Sequence, residues 1–187
     1  VFERSIEPLL DFTVNPEKTW EFLEGLHKKG DNQSLGRDDL NRLSTALTLK
    51  LLMQGSFAAD SIIGEVIRLK KELVENSLEF VQLLNACGNR DLPGLGLTLC
   101  LRDRSALEQA KKMAAEYRND ILAEIKILRE QHKELKSIRY LVVKDMEAGA
   151  VVAGLGIRYL YADLPLITLN HKGDIVKVSA RGNKLLI

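Results

Sequence analysis

Metal-dependent hydrolysis and acid–base catalysis need clustered histidines or carboxylates, and this sequence offers few such clusters. The three histidines, His27, His132 and His171, stand alone, without a second histidine or an aspartate at helical or loop spacing. His132 falls among apolar residues at helical spacing, which favours packing with one satisfied ring nitrogen over metal ligation. The adjacent carboxylates Asp38 and Asp39 stand in a context typical of a helix start. We therefore predict no catalytic residue and no metal ligand in this chain.

Cysteine and glycine motifs point away from redox and nucleotide chemistry as well. Cys87 and Cys100 lie among leucines and alanines without CxxC spacing, which predicts buried thiols rather than a disulfide or a metal pair. Free thiols in turn predict a reducing, cytoplasmic location. The motifs Gly94-Leu-Gly96 and Gly154-Leu-Gly156 lack the third glycine and the lysine of phosphate-binding loops. Gly154 and Gly156 lie inside a predicted helix, where we interpret them as sites of close packing against a sheet.

A basic group near the carboxyl end is the one candidate binding surface for nucleic acid. On a β-strand, alternation would place Lys177, Ser179 and Arg181 on one face, where charge and hydroxyl groups could hold backbone phosphates. The opposite face would carry Val176, Val178 and Ala180. The alternative is a half-buried strand with a solvated polar face, and the sequence alone favours that alternative.

Composition places the chain among ordinary globular proteins. It has 187 residues, of which 45% are apolar and 28% charged, and its net charge is +1. Any basic surface must therefore be local. No apolar run is long enough for a membrane span, and no secretory leader is visible. The chain begins at Val1 and ends on the apolar run Leu185-Leu-Ile187, which we interpret as a piece of a longer protein.

Helix signals dominate the first part of the sequence. Residues 1–14 predict a linker, and Asn15-Pro16 predicts a helix N-cap and first helical position, with Gly30 as the end of that helix. A second helix is predicted from Asp38-Asp39 to Gly55, where glycine permits the terminating conformation.

Two further helical regions complete this predicted helical part, which we place at residues 15–102. Apolar spacing predicts a helical region that begins at Asp60 and continues, with a bend, to Cys87. Residues 95–101 alternate in the manner of a strand, but a short buried helix fits their surroundings better.

The longest predicted element covers residues 103–136. Its apolar residues step by three and four from an N-cap at Asp103, and at 1.5 Å per residue this predicts a rod roughly 45 Å long. Packing along its own domain is favoured over a self-dimerising coiled coil. A rod of this length also suits a strut between two domains.

The pattern changes near Ser137. A strand at 138–143, a helix at 148–161 and a hairpin formed by 166–169 and 175–180 predict a small α/β domain over 137–187. The expected fold class is therefore mainly α, with an all-helical domain, a long connecting helix and a small α/β domain.

Several segments together resemble one known family. Leu83-Leu-Asn-Ala-Cys-Gly88 is similar to a segment of the archaeal RecJ-like DHH/DHHA1 single-strand exonucleases, the GINS-associated nucleases among them. Arg4-Ser-Ile-Glu-Pro8 resembles the exit from the family's catalytic DHH domain. Trp20-Glu-Phe-Leu-Glu-Gly-Leu26 and Ile62-Ile-Gly-Glu-Val66 resemble the helices that follow. Residues 148–181 are similar to the first half of a DHHA1 domain.

The resemblance implies a fragment of a nuclease that cuts single-stranded DNA from the 5′ end with Mn²⁺ or Mg²⁺. The family's metal ligands lie in the DHH domain, whose Asp-His-His motif is absent here, so we expect no cofactor in this fragment. Ser179 and Arg181 match the family's substrate-contacting Ser-x-Arg motif. In the relatives, a helical insertion docks onto GINS and the MCM ring, and residues 15–136 match it by position and helical character.

Three hypotheses follow for the function. The first is an interaction module that docks to GINS through an exposed apolar stripe on residues 15–87, around Trp20 and Phe57, because aromatic anchors dominate interfaces. The second is a DNA-holding piece of the exonuclease, in which Lys177 and Arg181 grip single-stranded DNA without any partner-binding role. The third is a helical domain with no partner.

Overall fold

A computed structural model describes residues 5–26, 36–62, 64–145 and 147–183 of the protein. Over these ranges the protein is mainly α-helical with a small α/β part at the carboxyl end, as predicted. The helices are α1 (Pro16–Leu26), α2 (Arg37–Met53), α3 (Ser77–Asn89), α4 (Pro93–Cys100), α5 (Arg104–Gln131) and α6 (Gly149–Leu155). The strands are β1 (Lys133–Leu135), β2 (Ile138–Val142), β3 (Leu166–Lys172) and β4 (Ile175–Arg181). His27, Gly30 and the run Leu185-Leu-Ile187 lie outside the described residues.

Helix α1 begins where the sequence predicts, whereas α2 begins at Arg37, with Gly36 rather than Asp38 or Asp39 at the N-cap. Asn15 Oδ1 accepts a hydrogen bond from the backbone N–H of Lys18 at 3.1 Å, which caps α1. At the start of α2, the N–H of Gly36 donates to Asp39 Oδ2 at 3.2 Å. Gly55 follows α2 with a φ of +77°, a conformation that favours glycine and stops the helix.

The continuous helical region predicted from Asp60 to Cys87 is wrong. A single 3₁₀ turn at Ala59–Ser61 forms there, and most of residues 64–76 lie outside any helix or strand. The helix begins at Ser77 because Asn76 Oδ1 accepts the N–H groups of Leu78 and Glu79. The apolar residues before Asn76 matched helical spacing, but this side-chain cap defines the true start.

The fourth helix settles the ambiguity between strand and helix at residues 95–101. The segment is helical over Pro93–Cys100, and its proline occupies the first helical position. Gly96 lies so close to α3 that an added Cβ would be 3.3 Å from the Cβ of Cys87. Cys87 is buried, and burial raises the pKa of its thiol. Cys100 is exposed, so the prediction of a buried thiol is wrong there.

The long helix α5 is shorter than predicted. It starts at its predicted cap, where Asp103 Oδ1 accepts the N–H of Ser105 at 2.8 Å, but it ends at Gln131. His132 turns into an extended conformation, and Lys133–Leu135 becomes the first strand of the sheet. Pairing with β2 thus takes over residues whose spacing alone would continue the helix.

The sheet has the order β1-β2-β3-β4. β2 and β3 run parallel and are joined through α6, whereas the other two pairs are antiparallel. A two-residue loop joins β3 and β4, and its first residue, Gly173, has a φ of +61°. The predicted order of strand, helix, strand and strand is confirmed, although the last turn of the predicted helix is a π-helix at Gly156–Leu160.

The main hydrophobic core crosses the boundary that the sequence predicts near Ser137. Leu9, Leu47 and Leu128 from the helical part belong to the same buried cluster as Leu141 and Val152. A second cluster joins the loop before α3 to α3, α4 and α5, and it contains Val74, Leu83, Cys87, Leu99 and Ala110. The division into units at 15–102, 103–136 and 137–187 stays a prediction.

Candidate interaction surfaces

Helix α1 is held in place by an aromatic pair and a lysine. The rings of Phe12 and Phe22 stack with centroids 4.6 Å apart, and Lys50 Nζ from α2 lies 5.4 and 5.6 Å from these two centroids. The same ammonium group pairs with Asp11 at 3.1 Å. With Phe22 turned inward, Trp20 points to solvent and is 59% exposed.

Helix α2 carries apolar side chains on two sides. Leu43, Leu47 and Leu51 face the core. Leu49, Leu52 and Met53, which we call the α2 ridge, face solvent, and Met53 is 88% exposed. An open pocket of about 430 Å³ adjoins this ridge. It is lined by Gly25, Leu26, Asn41, Arg42, Thr45, Ala46 and Leu49.

Phe57 follows two residues whose side chains fasten its loop to the rest of the protein. Before it, Gln54 Nε2 donates to the carbonyls of Leu9 and Tyr159 at 3.0 and 2.7 Å. Ser56 Oγ donates to the carbonyl of Arg158 at 2.7 Å. Phe57 itself is exposed. Both predicted partner-binding aromatics are therefore at the surface, on different elements, and the α2 ridge between them in sequence was missed by the sequence reasoning.

The predicted basic face lies on the edge strand β4. Lys177, Ser179 and Arg181 pair across the ladder with Asn170, Thr168 and Leu166, so the two sets of residues share one face of the sheet. This is the face that α6 covers, because Thr168 Oγ1 donates to the carbonyl of Gly149 at 2.9 Å. Lys177 and Arg181 are exposed on either side of the half-buried Ser179. The structure brings these three residues together; their binding of DNA stays a prediction.

The other face of the sheet is open and apolar, which the sequence reasoning did not anticipate. Val176 and Val178 were expected to alternate with a polar face, yet they are 53% and 58% exposed. The open face also carries the exposed Leu135 and Val142 and the half-buried Ile138, Tyr140, Ile167 and Leu169. The strand register brings these residues to one side of the sheet, and the packing of α6 decides which side is covered.

A buried carboxylate joins the long helix to the start of the β2–α6 connection. Glu124 is 4% exposed, and its Oε1 accepts the N–H groups of Lys144 and Asp145 at 2.9 and 3.2 Å. Asp145 in turn pairs with Arg90 at 3.0 Å. Sequence reasoning missed Glu124, although a glutamate in the apolar seam of α5 is a visible signal of a buried polar contact.

Tyr117 contacts Arg90, the residue that pairs with Asp145. The guanidinium of Arg90 lies 4.9 Å from the centre of the Tyr117 ring. Burial, together with the negative charge of Asp145, raises the pKa of the Tyr117 hydroxyl to about 12. These contacts of Arg90 and Glu124 therefore join α3, α5 and the segment after β2.

A second polar network surrounds Arg139 on β2. This guanidinium is buried, pairs with Glu134 and with Asp163 (3.1 Å), and lies 4.4 Å from the centre of the Tyr161 ring. Hydrogen bonds from Arg139 hold the pKa values of Glu134 and Asp163 below their usual range. His132 Nδ1 lies 2.8 Å from the carbonyl of Leu128, so the prediction of a packed histidine with one satisfied nitrogen is confirmed.

In the described ranges, no three His, Cys, Asp or Glu side chains are placed to hold a metal ion together. The expectation of Mn²⁺ or Mg²⁺ in a longer protein stays a prediction. Among the described residues, no helix is both long and apolar enough to cross a membrane.

Comparison with known proteins finds a relative without an assigned function. No known protein family matches the sequence. An uncharacterized protein of Methanocaldococcus jannaschii is 25% identical over 181 residues, which cover 97% of this chain. The chain spans 39% of the length of that relative. The similarity thus extends across the helical and the α/β parts together.

Proposed function

We propose that this chain is the interaction module of an archaeal RecJ-like single-strand exonuclease and docks a GINS subunit in the replicative helicase complex. The α1–α2 surface, defined as Trp20 and the α2 ridge, is the docking face, and Phe57 extends it. The family resemblance supports the identity of the partner. The relative in Methanocaldococcus jannaschii, an archaeon, agrees with an archaeal origin. In this proposal the longer protein acts in the cytoplasm and is a Mn²⁺- or Mg²⁺-dependent nuclease.

The exposed apolar side chains of α1 and α2 carry the proposal. An aromatic residue buries 150–250 Å² when fully covered, so covering the exposed 59% of Trp20 would remove about 100–150 Å² from water. At about 25 cal/mol per Å², this amounts to roughly 2–4 kcal/mol, which is the size of an interface hot spot. Met53 adds a flexible apolar side chain of the kind that adapts to a partner groove.

The test measures binding of the purified protein to purified archaeal GINS by calorimetry. Trp20→Ala and Met53→Ala should each weaken binding about tenfold or more, because each removes a side chain that the partner would bury. Leu101→Ala is the matched control, since Leu101 is 74% exposed but lies beyond α4. Absence of GINS binding, or equal losses for Leu101→Ala and Trp20→Ala, would refute the assignment.

The exposed cations of β4 support a second candidate, the DNA-holding role. Lys177 and Arg181 lie on one face with Ser179 between them, and this alternation suits contacts to successive backbone phosphates. Binding to single-stranded oligothymidine should then weaken steeply with salt and be lost in Arg181→Ala. Lys133→Ala on the opposite edge strand is the control. Salt-independent or unaltered binding would remove this candidate.

A further inference from the structure

The turn that follows α2 is hydrogen-bonded to the π-helix of the α/β part. Gln54 Nε2 donates to the carbonyl of Tyr159 at 2.7 Å, and Ser56 Oγ donates to the carbonyl of Arg158 at the same distance. Both carbonyls belong to the π-helix at Gly156–Leu160. The turn and the π-helix are about one hundred residues apart in the sequence, so these two bonds join distant parts of the chain.

The two side chains satisfy backbone groups that a helix end leaves open. The last carbonyls of a helix have no partner within the helix, and a side chain from another element can supply one. Ser56 is only 3% exposed, so its hydrogen bond to Arg158 is shielded from water. Breaking such a bond costs more than breaking one at the surface, because water does not replace the lost donor.

The same turn separates two exposed apolar side chains of the proposed docking face. Met53 directly precedes Gln54, Phe57 directly follows Ser56, and both are exposed. Gly55 lies between them, and glycine leaves the backbone free to adopt other conformations. A partner that covers Met53 and Phe57 together needs the turn in one conformation. Its affinity is reduced by the fraction of molecules in which the turn adopts another.

We propose that Gln54 and Ser56 are positioning residues that couple docking over Met53 and Phe57 to the π-helix. Their hydrogen bonds hold the turn in the conformation that docks, and a docked partner in turn holds these bonds in place. The coupling is reciprocal, as binding equilibria require. This inference rests on the proposed docking of GINS, and it adds that the α/β part contributes to the affinity through these two bonds.

The first measurement is calorimetric binding of purified archaeal GINS to variants of the 187-residue protein. Gln54→Met keeps the length of the side chain but loses the donor, and Ser56→Ala loses the hydroxyl. Each should weaken binding about threefold to tenfold, the loss expected for one hydrogen bond. Thr98→Val is the matched control, because it removes a hydroxyl that donates to a carbonyl at 2.8 Å within α4, and it should leave the affinity unchanged.

The second measurement is hydrogen exchange at the backbone amide of Tyr161, which lies outside the docking face. This N–H donates to the carbonyl of Gly156 at 2.8 Å and reports on local opening of the π-helix. Binding of GINS should slow its exchange about threefold to tenfold in the unmodified protein, because the coupling acts equally in both directions. The slowing should be lost in Gln54→Met, in which the half-buried side chain is changed without loss of length.

The outcomes separate the coupling from the docking itself. No binding of GINS to the unmodified protein would overturn both. Binding that Gln54→Met and Ser56→Ala leave unchanged would overturn the coupling alone. Weaker binding of these variants with no change in Tyr161 exchange on docking would also overturn it, since the bonds would then act only within the turn.

Discussion

Gly156 is the position at which a single methyl group should do the most damage. It begins the π-helix after α6, and a Cβ added there would lie 2.5 Å from Leu166 Cδ2 and 2.9 Å from Leu128 Cδ2. Carbon atoms in contact prefer separations of about 3.5–4.0 Å, so both leucines would have to move. Both are fully buried, which leaves their methyl groups no solvent to move into.

The net effect of Gly156→Ala combines two opposite contributions. Overpacking a filled core costs about 1–3 kcal/mol. Replacing a helical glycine with alanine returns about 0.5–1 kcal/mol through lower unfolded-state entropy. We expect a net loss of about 1–2 kcal/mol in the free energy of unfolding, and a melting temperature lower by about 2–8 °C for a chain of this size.

The assay is urea and thermal unfolding followed by circular dichroism. Gly154→Ala is the matched control in the same helical segment, because nothing lies within 4 Å of an added Cβ there. This control should stabilise the protein by about 0.5–1 kcal/mol. Adding Leu166→Val should cost less in the Gly156→Ala background than in the unmodified protein, since it relieves the contact. Equal or greater stability of Gly156→Ala would refute the close packing of Gly156.

Three further predictions concern the stability of the fold. Glu124→Ala should lower the free energy of unfolding by about 2–3 kcal/mol in chemical denaturation, because two backbone N–H groups lose a charged acceptor. Glu124→Gln keeps an acceptor and should therefore cost less. Burial raises the pKa values of Tyr117 and Tyr159 to about 12, so the unfolded state ionises first. Stability measured against pH should therefore fall between about pH 10 and 12 by up to about 1.4 kcal/mol per pH unit and tyrosine, and Tyr117→Phe should flatten this fall. Asn76→Ala removes the cap of α3 and should cost about 1 kcal/mol in thermal unfolding, against no change for a substitution at the exposed Leu78.

Local signals explain which parts of the fold were predictable. The caps at Asn15 and Asp103 and the stop at Gly55 act through hydrogen bonds or conformations of their immediate neighbours, and all three stand where they were predicted. The cap at Asn76 is equally local, but an apparent apolar period masked it. The end of α5 was not predictable in this way, because residues 133–135 leave the helix to pair with a strand.

The candidate surfaces were also predictable only in part. Alternation placed Lys177, Ser179 and Arg181 on one face of a strand, and the ladder with β3 shows that arrangement. The sequence could not tell that α6 would cover this face, nor that Val176 and Val178 would remain open on the other. Exposure of the α2 ridge was also hidden, since an apolar residue on a helix reads as core in the absence of its neighbours.

By itself, the sequence determined the mainly helical class, most element starts, the hairpin and the alternation of β4, because these depend on backbone preferences within a few residues. Only the tertiary structure decided where α5 yields to the sheet, which sheet face stays open, and how Glu124 and Gly156 fit between distant elements. These features depend on contacts between residues far apart in the chain, whose free energies no local pattern contains.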